Sequence, residues 1–268
     1  MAIFNGKQVF FSPKIHSVAE GSVEITENGT HNVSEYAEAI VNVVGAVEPG
    51  PELDATFANN TWANIIWACK NNAVPETWAV GDEKTMTIDG NDVVIAICGK
   101  NHDEYADGGL APLTFIQKTA FMSAQMHSEL RSDSIFATLG HTPYTETDMY
   151  KTTLPSVLEM MPDGIKENLR AVKKKNVYAM YGNAFFETAD KIWLFSEREV
   201  GVGWNYYLDG KKYGYAFGYC SGVNGETDIW FFLRSLSSPD RFTIYMTGGG
   251  PSDTMQTDTL PLIFGFCF

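Results

Sequence analysis

Between Ser22 and Val33 apolar and polar residues alternate about an Asn28-Gly29 pair, which predicts a β-hairpin because both turn residues tolerate positive φ. Tyr36, Ala37, Ala39, Val41 and Val43 continue a period of two, as a strand with one covered face does. Glu48-Pro49-Gly50-Pro51-Glu52 then interrupts every regular pattern, since proline removes a backbone donor and fixes φ. A small β module over residues 1–48, a linker over 49–54 and a second domain over 55–268 are therefore expected.

In the second domain Trp62, Ile65, Ile66 and Cys69 fall on one face at helical spacing and predict a helix capped by Asn59 or Asn60. Thr85-Met86-Thr87-Ile88 and Val93-Val94-Ile95-Ala96-Ile97 flank Asp89-Gly90 and read as a β-hairpin. Residues 150–174 predict two short helices broken at Met161-Pro162-Asp163-Gly164, with Ile165, Leu169 and Val172 on the apolar stripe of the second. After Val177 the chain is rich in Tyr, Phe, Trp and Gly without a helical period, which predicts short strands joined by long loops. The expected class is α+β.

Composition narrows the function. Of 268 residues 44% are hydrophobic and 13% aromatic, enough for a sizeable core, which excludes a disordered reading. Lys and Arg number 19 against 33 Asp and Glu, so 19 − 33 leaves −14, and phosphate backbones would be repelled; no nucleic-acid partner is expected. The most apolar stretches, Asp92 to Cys98 and Leu260 to Phe268, fall short of the roughly 18 residues of a membrane helix, so no membrane insertion is expected. The N-terminal Met1-Ala2-Ile3-Phe4-Asn5-Gly6-Lys7 lacks the charged and apolar regions of a secretory signal. Cys69, Cys98, Cys220 and Cys267 show no paired spacing and read as buried thiols of a chain folded in a reducing cytoplasm.

Candidate chemistry is sparse. His127 and His141 lack the close helical spacing of zinc motifs, His16, His31 and His102 lie in unrelated segments, and neither a metal nor a cofactor is expected. There is no Gly-x-Ser-x-Gly elbow or phosphate-cradling loop, and no helix is expected to follow Gly248-Gly249-Gly250-Pro251. Glu197 with Glu199, or Asp103, Glu104 and Asp107, can serve acid–base roles or bind calcium, but the second group lacks the spacing and closing Glu of a calcium loop. Lys173-Lys174-Lys175, the one basic cluster, is expected to oppose the dipole at a helix C-terminus.

Four motifs occur in a specific order: Thr77-Trp78-Ala79-Val80-Gly81-Asp82, Lys191 to Val200, Trp230-Phe231-Phe232-Leu233-Arg234-Ser235 and Phe264-Gly265-Phe266-Cys267. Over roughly residues 55–268 the chain thus resembles the C-type-lectin-like domains of phage and prophage tail proteins of gut Firmicutes, relatives in fold of formylglycine-generating enzymes. Ile25 to Thr30 with Val33 to Val43 also resembles a short β module recurrent in structural proteins of such phages. The C-terminal domain is similar to the variable proteins of diversity-generating retroelements, in which adenine-directed mutagenesis rewrites a ligand-binding surface. The chain departs from the commonest pattern at Leu236, where many relatives have Pro, and at Leu260-Pro261-Leu262.

The resemblance implies a fixed scaffold at Trp193, Trp230, Arg234, Phe264, Gly265 and Phe266, and a ligand-binding surface carried between Ile229 and Leu260. Expected on that surface are Ile229, Phe231, Leu236, Ser238, Asp240, Arg241, Tyr245, Ser252 and Asp253. The segment's mixture of Ser, Gly, Tyr and Arg also suits an adaptable binding surface. The implied function is a tail-associated receptor-binding protein of the virion, not an enzyme, released by lysis after folding in the host cytoplasm. Its expected partners are a bacterial surface receptor, protein or glycan, other tail proteins, and copies of itself, a trimer being favoured because a 48-residue module is small for independent folding. Two alternatives stay open: a structural tail or head-decoration protein without a ligand, and a formylglycine-enzyme-like catalyst acting through Cys220 or Cys267.

Overall fold

The computed structural model describes residues 2–4, 7–9, 50–130, 144–177, 185–202, 210–238, 240–248 and 250–268. The chain divides into two compact units, Met1–Pro49 and Gly50–Phe268. In the first unit β1 (Ala2–Phe4) and β2 (Lys7–Val9) pair antiparallel with Ile3 opposite Gln8. The Asn28-Gly29 hairpin and the strand expected from Tyr36 to Val43 lie outside the described residues.

The second unit is α+β, built from short helices and antiparallel sheets. Its opening segment is ordered by Asn60, whose buried amide accepts from the Asp54 N–H at 2.9 Å and donates to the Asp54 and Thr56 carbonyls. Asn60 is therefore a loop clamp, and the cap of the helix Trp62–Lys70 is Thr61, whose hydroxyl accepts from the Asn64 N–H at 3.1 Å. Ile65, Ile66 and Cys69 are buried on that helix as their spacing predicts, while Trp62 stays partly exposed with its indole N–H on the Thr85 carbonyl.

β3 (Glu83–Ile88) and β4 (Asn91–Lys100) form the expected hairpin, with Asp89 and Gly90 at φ 48° and 75°. They join β5 (Leu113–Gln117), β9 (Ile192–Trp193) and β14 (Gly265–Cys267) in a five-stranded sheet of order β3-β4-β5-β14-β9. Ile95 and Ile97 of β4 enter one hydrophobic cluster and Ala96 and Cys98 another, so the sheet is covered on both faces. That double burial explains why β4 reads as a continuous apolar run. On the first face Phe115 stacks on Phe266 and Phe57, at 5.3 and 6.2 Å between centroids. The first and last strands of the unit belong to this one sheet, β3 at its edge and β14 inside it between β5 and β9.

Smaller sheets complete the unit. β6 (Ser123–Ala124) pairs with β13 (Leu260–Pro261), and β7 (Val172–Val177) with β8 (Phe185–Asp190). β10 (Trp230–Ser238), β11 (Arg241–Met246) and β12 (Gly250–Met255) form a three-stranded antiparallel sheet in which Ile244 lies between Phe232 and Ser252. Among the described residues, no helix is long and apolar enough to cross a membrane.

Residues 150–174 depart from expectation. Helix Leu154–Met160 is present and the break at Met161-Pro162 holds, but the second helix is only Asp163–Lys166. Val172 opens β7, so Lys173, Lys174 and Lys175 lie on a strand and not at a helix C-terminus. Val172, Lys174 and Asn176 are buried and Lys175 is exposed, a period of two whose inward positions are mostly polar. A hydrophobic pattern cannot register such a strand.

Candidate ligand-binding surface

The β10–β12 sheet carries the residues expected to bind a ligand, and its register separates them. Ile229, Phe231 and Leu236, expected on the surface, are 6%, 0% and 1% exposed. Trp230, expected in the scaffold, is 51% exposed. The inversion follows from β10 being covered on both sides: Phe231 and Leu233 enter one cluster, while Phe232 and Leu236 enter the other. Phe231 lies 5.4 Å from the Tyr245 ring, and Trp230 stands opposite Met246 at the strand's open end.

Four expected residues lie on the other two strands, Arg241 and Tyr245 on the central β11 and Ser252 and Asp253 on β12. Arg241 donates to Asp253 at 2.8 Å, and the Ser237 hydroxyl donates to the second Asp253 oxygen at 2.7 Å. Ser252 and Asp253 are exposed on β12, the outer strand of this sheet. Asp240 is half-buried in the β10–β11 turn, where its carbonyl accepts from the Gln256 N–H at 3.0 Å. Tyr245 is also half-buried, between Phe231 and Phe217, and burial raises its phenol pKa. The side chain of Ser238 lies outside the described residues.

The other residues expected in the scaffold are buried. Trp193, Phe264 and Phe266 are fully buried, and a Cβ on Gly265 would fall within 2.9 Å of the Trp193 and Phe195 rings, so only glycine fits. Buried Arg234 donates to the Leu194 carbonyl at 2.7 Å and to Glu199 at 2.5 Å, tying β10 to the short helix Glu197–Val200. Glu199 also closes a capping box, accepting from the Ser196 N–H while the Ser196 hydroxyl accepts from its own N–H.

Glu199 continues into an ionic network that sequence reasoning missed. Lys174, 2% exposed, donates to Asp103 at 2.5 Å, Glu199 at 3.0 Å and the Tyr213 hydroxyl at 2.9 Å. Its ammonium sits 4.0 Å from the Trp193 ring centroid. Asp103 also accepts from Thr114 at 2.5 Å and from Tyr213 at 2.8 Å. Burial alone would raise the Asp103 carboxyl. The Lys174 charge, with hydrogen bonds from His102, Lys174 and Thr114, outweighs it and holds the group well below the usual carboxylate range. Burial likewise opposes Glu199 ionisation, but Arg234 and Lys174 overcome it and lower its pKa. Burial lowers and the two carboxylates raise Lys174, with a net upward shift. Two cations and two anions thus neutralise one another inside the unit. Ser196-x-x-Glu199 was the one signal of this network legible in the chain.

The carboxylates weighed for calcium do not converge, because each meets a different cation: Asp103 meets Lys174, Glu104 meets Lys173 and Asp107 meets Arg170. Nor do Glu197 and Glu199 point alike, since Glu197 accepts from Thr243 at 2.6 Å. Among the described residues no group of three or more His, Cys, Asp or Glu is placed to hold a metal. His127 is buried with its backbone N–H on the Gln256 carbonyl, while His16, His31 and His141 lie outside the described residues. All four cysteines are buried; burial pushes Cys69 and Cys220 up to about 12, and Cys98 and Cys267 well above the ordinary thiol value.

The second unit is therefore an antiparallel α+β domain with a partly exposed three-stranded sheet mounted on a neutralised ionic core. No protein-family model matches the chain, and comparisons with curated proteins and with solved structures find no match either.

Proposed function

We propose that this chain is a tail-associated receptor-binding protein of a phage or prophage, whose second unit is a C-type-lectin-like domain displaying its ligand surface on β10–β12. The observation that carries the reading is the division of this sheet between immobile and replaceable positions. Arg234 is fixed by hydrogen bonds from inside, whereas Arg241, Ser252 and Asp253 carry no core packing and can change without disturbing it. Such an arrangement suits a face whose ligand contacts vary on a constant frame. The first unit is assigned to attachment and to oligomerisation, with a homotrimer as the favoured state. The receptor is a protein or glycan of the bacterial surface, the site of action is the virion, and neither nucleic acid nor a cofactor takes part.

Binding is favoured over catalysis at Cys220 and Cys267 because burial stabilises their unreactive thiol form. Thiol labelling of the native protein tests this point: slow modification at both supports binding, and fast modification of either revives the catalytic alternative. For attachment itself, purified full-length protein should block adsorption of the parent particle to its host cells. The triple variant Arg241→Ala, Ser252→Ala, Asp253→Ala should lose that competition while its melting curve stays in place. Undiminished competition by the triple variant refutes the assignment of the surface, and no competition by the unaltered protein supports the purely structural alternative.

A further inference from the structure

We infer that Lys174 and Asp103 are a site of covalent modification within the chain: after folding, Lys174 Nζ forms an amide bond with Asp103 Cγ and one water is released. Backbone contacts fix the two segments against each other. Tyr105 bridges Val172, the Lys173 N–H donates to the Glu104 carbonyl at 2.8 Å and the Ala106 N–H to the Ala171 carbonyl at 2.9 Å. Lys174 Nζ thereby lies 2.5 Å from Asp103 Oδ1, with both residues buried and the Trp193 ring covering the ammonium. Equally close pairs, Lys118 with Glu83 and Lys151 with Glu146, stand at the surface, where water competes with the amine.

The groups around the pair supply what a condensation needs. Asp103 Oδ2 accepts from Thr114 at 2.5 Å, lies 2.8 Å from the Tyr213 hydroxyl, and has His102 Nδ1 at 3.3 Å. Tyr213 is held there by stacking on His102 and by an edge contact with Phe195. These donors can hold negative charge that develops on Oδ2. Glu199 Oε1 is 3.0 Å from Nζ and placed to relay a proton, while its Oε2 accepts from Arg234 at 2.5 Å and from the Ser196 N–H at 3.0 Å. Arg234 therefore keeps Glu199 balanced when the Lys174 charge is lost.

The step balances without a further reactant. One ammonium proton passes from Nζ to Oδ1, which leaves a neutral amine beside a carboxylic acid. The amine lone pair attacks Cγ, and the carbonyl electrons move onto Oδ2 between Thr114 and Tyr213. Glu199 takes a second proton from Nζ and returns it to Oδ1 as the Cγ–Oδ1 bond breaks. Oδ1 departs as water with both protons, Nζ keeps one, and one positive and one negative charge disappear together. Holding the amine against the acyl carbon makes the reaction intramolecular, which favours it far above the same reaction between separate molecules. The bond ties β7 to the segment before β5 and closes a loop across 71 positions, a constraint on the unfolded chain. The ion pair is the state from which the bond forms, and the ionic energetics of Lys174 and Asp103 belong to that open state.

Intact mass spectrometry of the denatured full-length protein, after overnight incubation at neutral pH, tests the proposal. The expected mass is one water below that of the sequence, and a digest should contain a branched peptide joining Lys174 to Asp103. Lys174→Arg keeps the charge but offers no amine to acylate, so it should show the full mass, lack the branched peptide and melt at a lower temperature. The full sequence mass in the unaltered chain overturns the proposal. So does a water loss that persists in Lys174→Arg or maps to a linear peptide, the mark of a cyclised aspartate. The branched peptide is read on the unaltered chain and does not depend on how the variant folds. Because the readout is covalent mass, these outcomes are separate from the adsorption experiment.

Discussion

Two arginines of the β10–β12 sheet, Arg234 and Arg241, each pair with a carboxylate, and the two pairs differ in little but their surroundings. Arg234 and Glu199 are 1% and 3% exposed, and their partners extend through Lys174 to Asp103. Arg241 and Asp253 are 38% and 42% exposed, and water competes for both. In the first pair, removal of one member strands a charge in a medium that cannot solvate it. In the second, solvent and salt take over the lost contact. Identical chemistry therefore acts as a fixed scaffold in one place and as an exchangeable surface in the other.

The buried pair and its network are the more sensitive to substitution. Lys174→Ala leaves Asp103 and Glu199 without a cation they share and should cost about 3 to 5 kcal/mol, read as a shift in urea midpoint. Trp193→Ala, which removes a fully buried ring beneath that ammonium, should cost a comparable 3 to 5 kcal/mol or so. A loss under about 1 kcal/mol from either variant would mean that the network is not what holds the sheet.

Acid should attack the same network. Asp103 and Glu199 have lowered folded pKa values, so their stabilisation is complete above the unfolded value of about 4 and disappears as pH falls through the folded values. Lys174 is raised, so its share is complete below the unfolded lysine value and disappears only as pH rises through the higher folded one. Asp190, raised chiefly by burial, acts oppositely and favours the folded state on the acid side. Stability measured against pH should show a neutral plateau with an acid limb, and that limb should shrink in Asp103→Asn. An unchanged limb would assign acid sensitivity to other carboxylates.

Smaller effects sharpen the contrast. Gly265→Ala should cost about 1 to 3 kcal/mol by forcing the Trp193 and Phe195 rings apart, seen as a lower melting temperature. Arg241→Ala should change stability by about 0 to 1 kcal/mol, because its partner remains hydrated. Trp230→Ala belongs with it. Full burial of this ring would have implied a loss of roughly 3 to 5 kcal/mol, but half of it faces solvent, so only a small shift in melting temperature is expected.

Local features were legible in the chain where their causes were local. Asp89-Gly90 specified a hairpin through the positive φ of both turn residues, and Trp62, Ile65, Ile66 and Cys69 specified a helix by spacing. The cap was misplaced by one residue, since Asn60 and Thr61 are both competent and only the closure of the Asp54 loop around Asn60 leaves the cap to Thr61. Of the expected surface, Arg241, Ser252 and Asp253 could be placed from composition, whereas Ile229, Phe231 and Leu236 could not, because alternation along β10 is lost when both faces are covered.

The α+β class, the β3–β4 hairpin and the helix after Thr61 follow from turn chemistry and hydrophobic period within a few residues. Tertiary structure alone decided that Lys174 is an interior residue and Trp230 an exposed one. Lys174 tolerates burial only because Asp103, 71 positions earlier, and Glu199, 25 later, arrive to neutralise it. Trp230 remains in solvent because the neighbouring Phe231, Phe232 and Leu233 already fill the space on either side of β10. The energy of a charge or a ring depends on which distant groups surround it, and that is a property of the assembled fold.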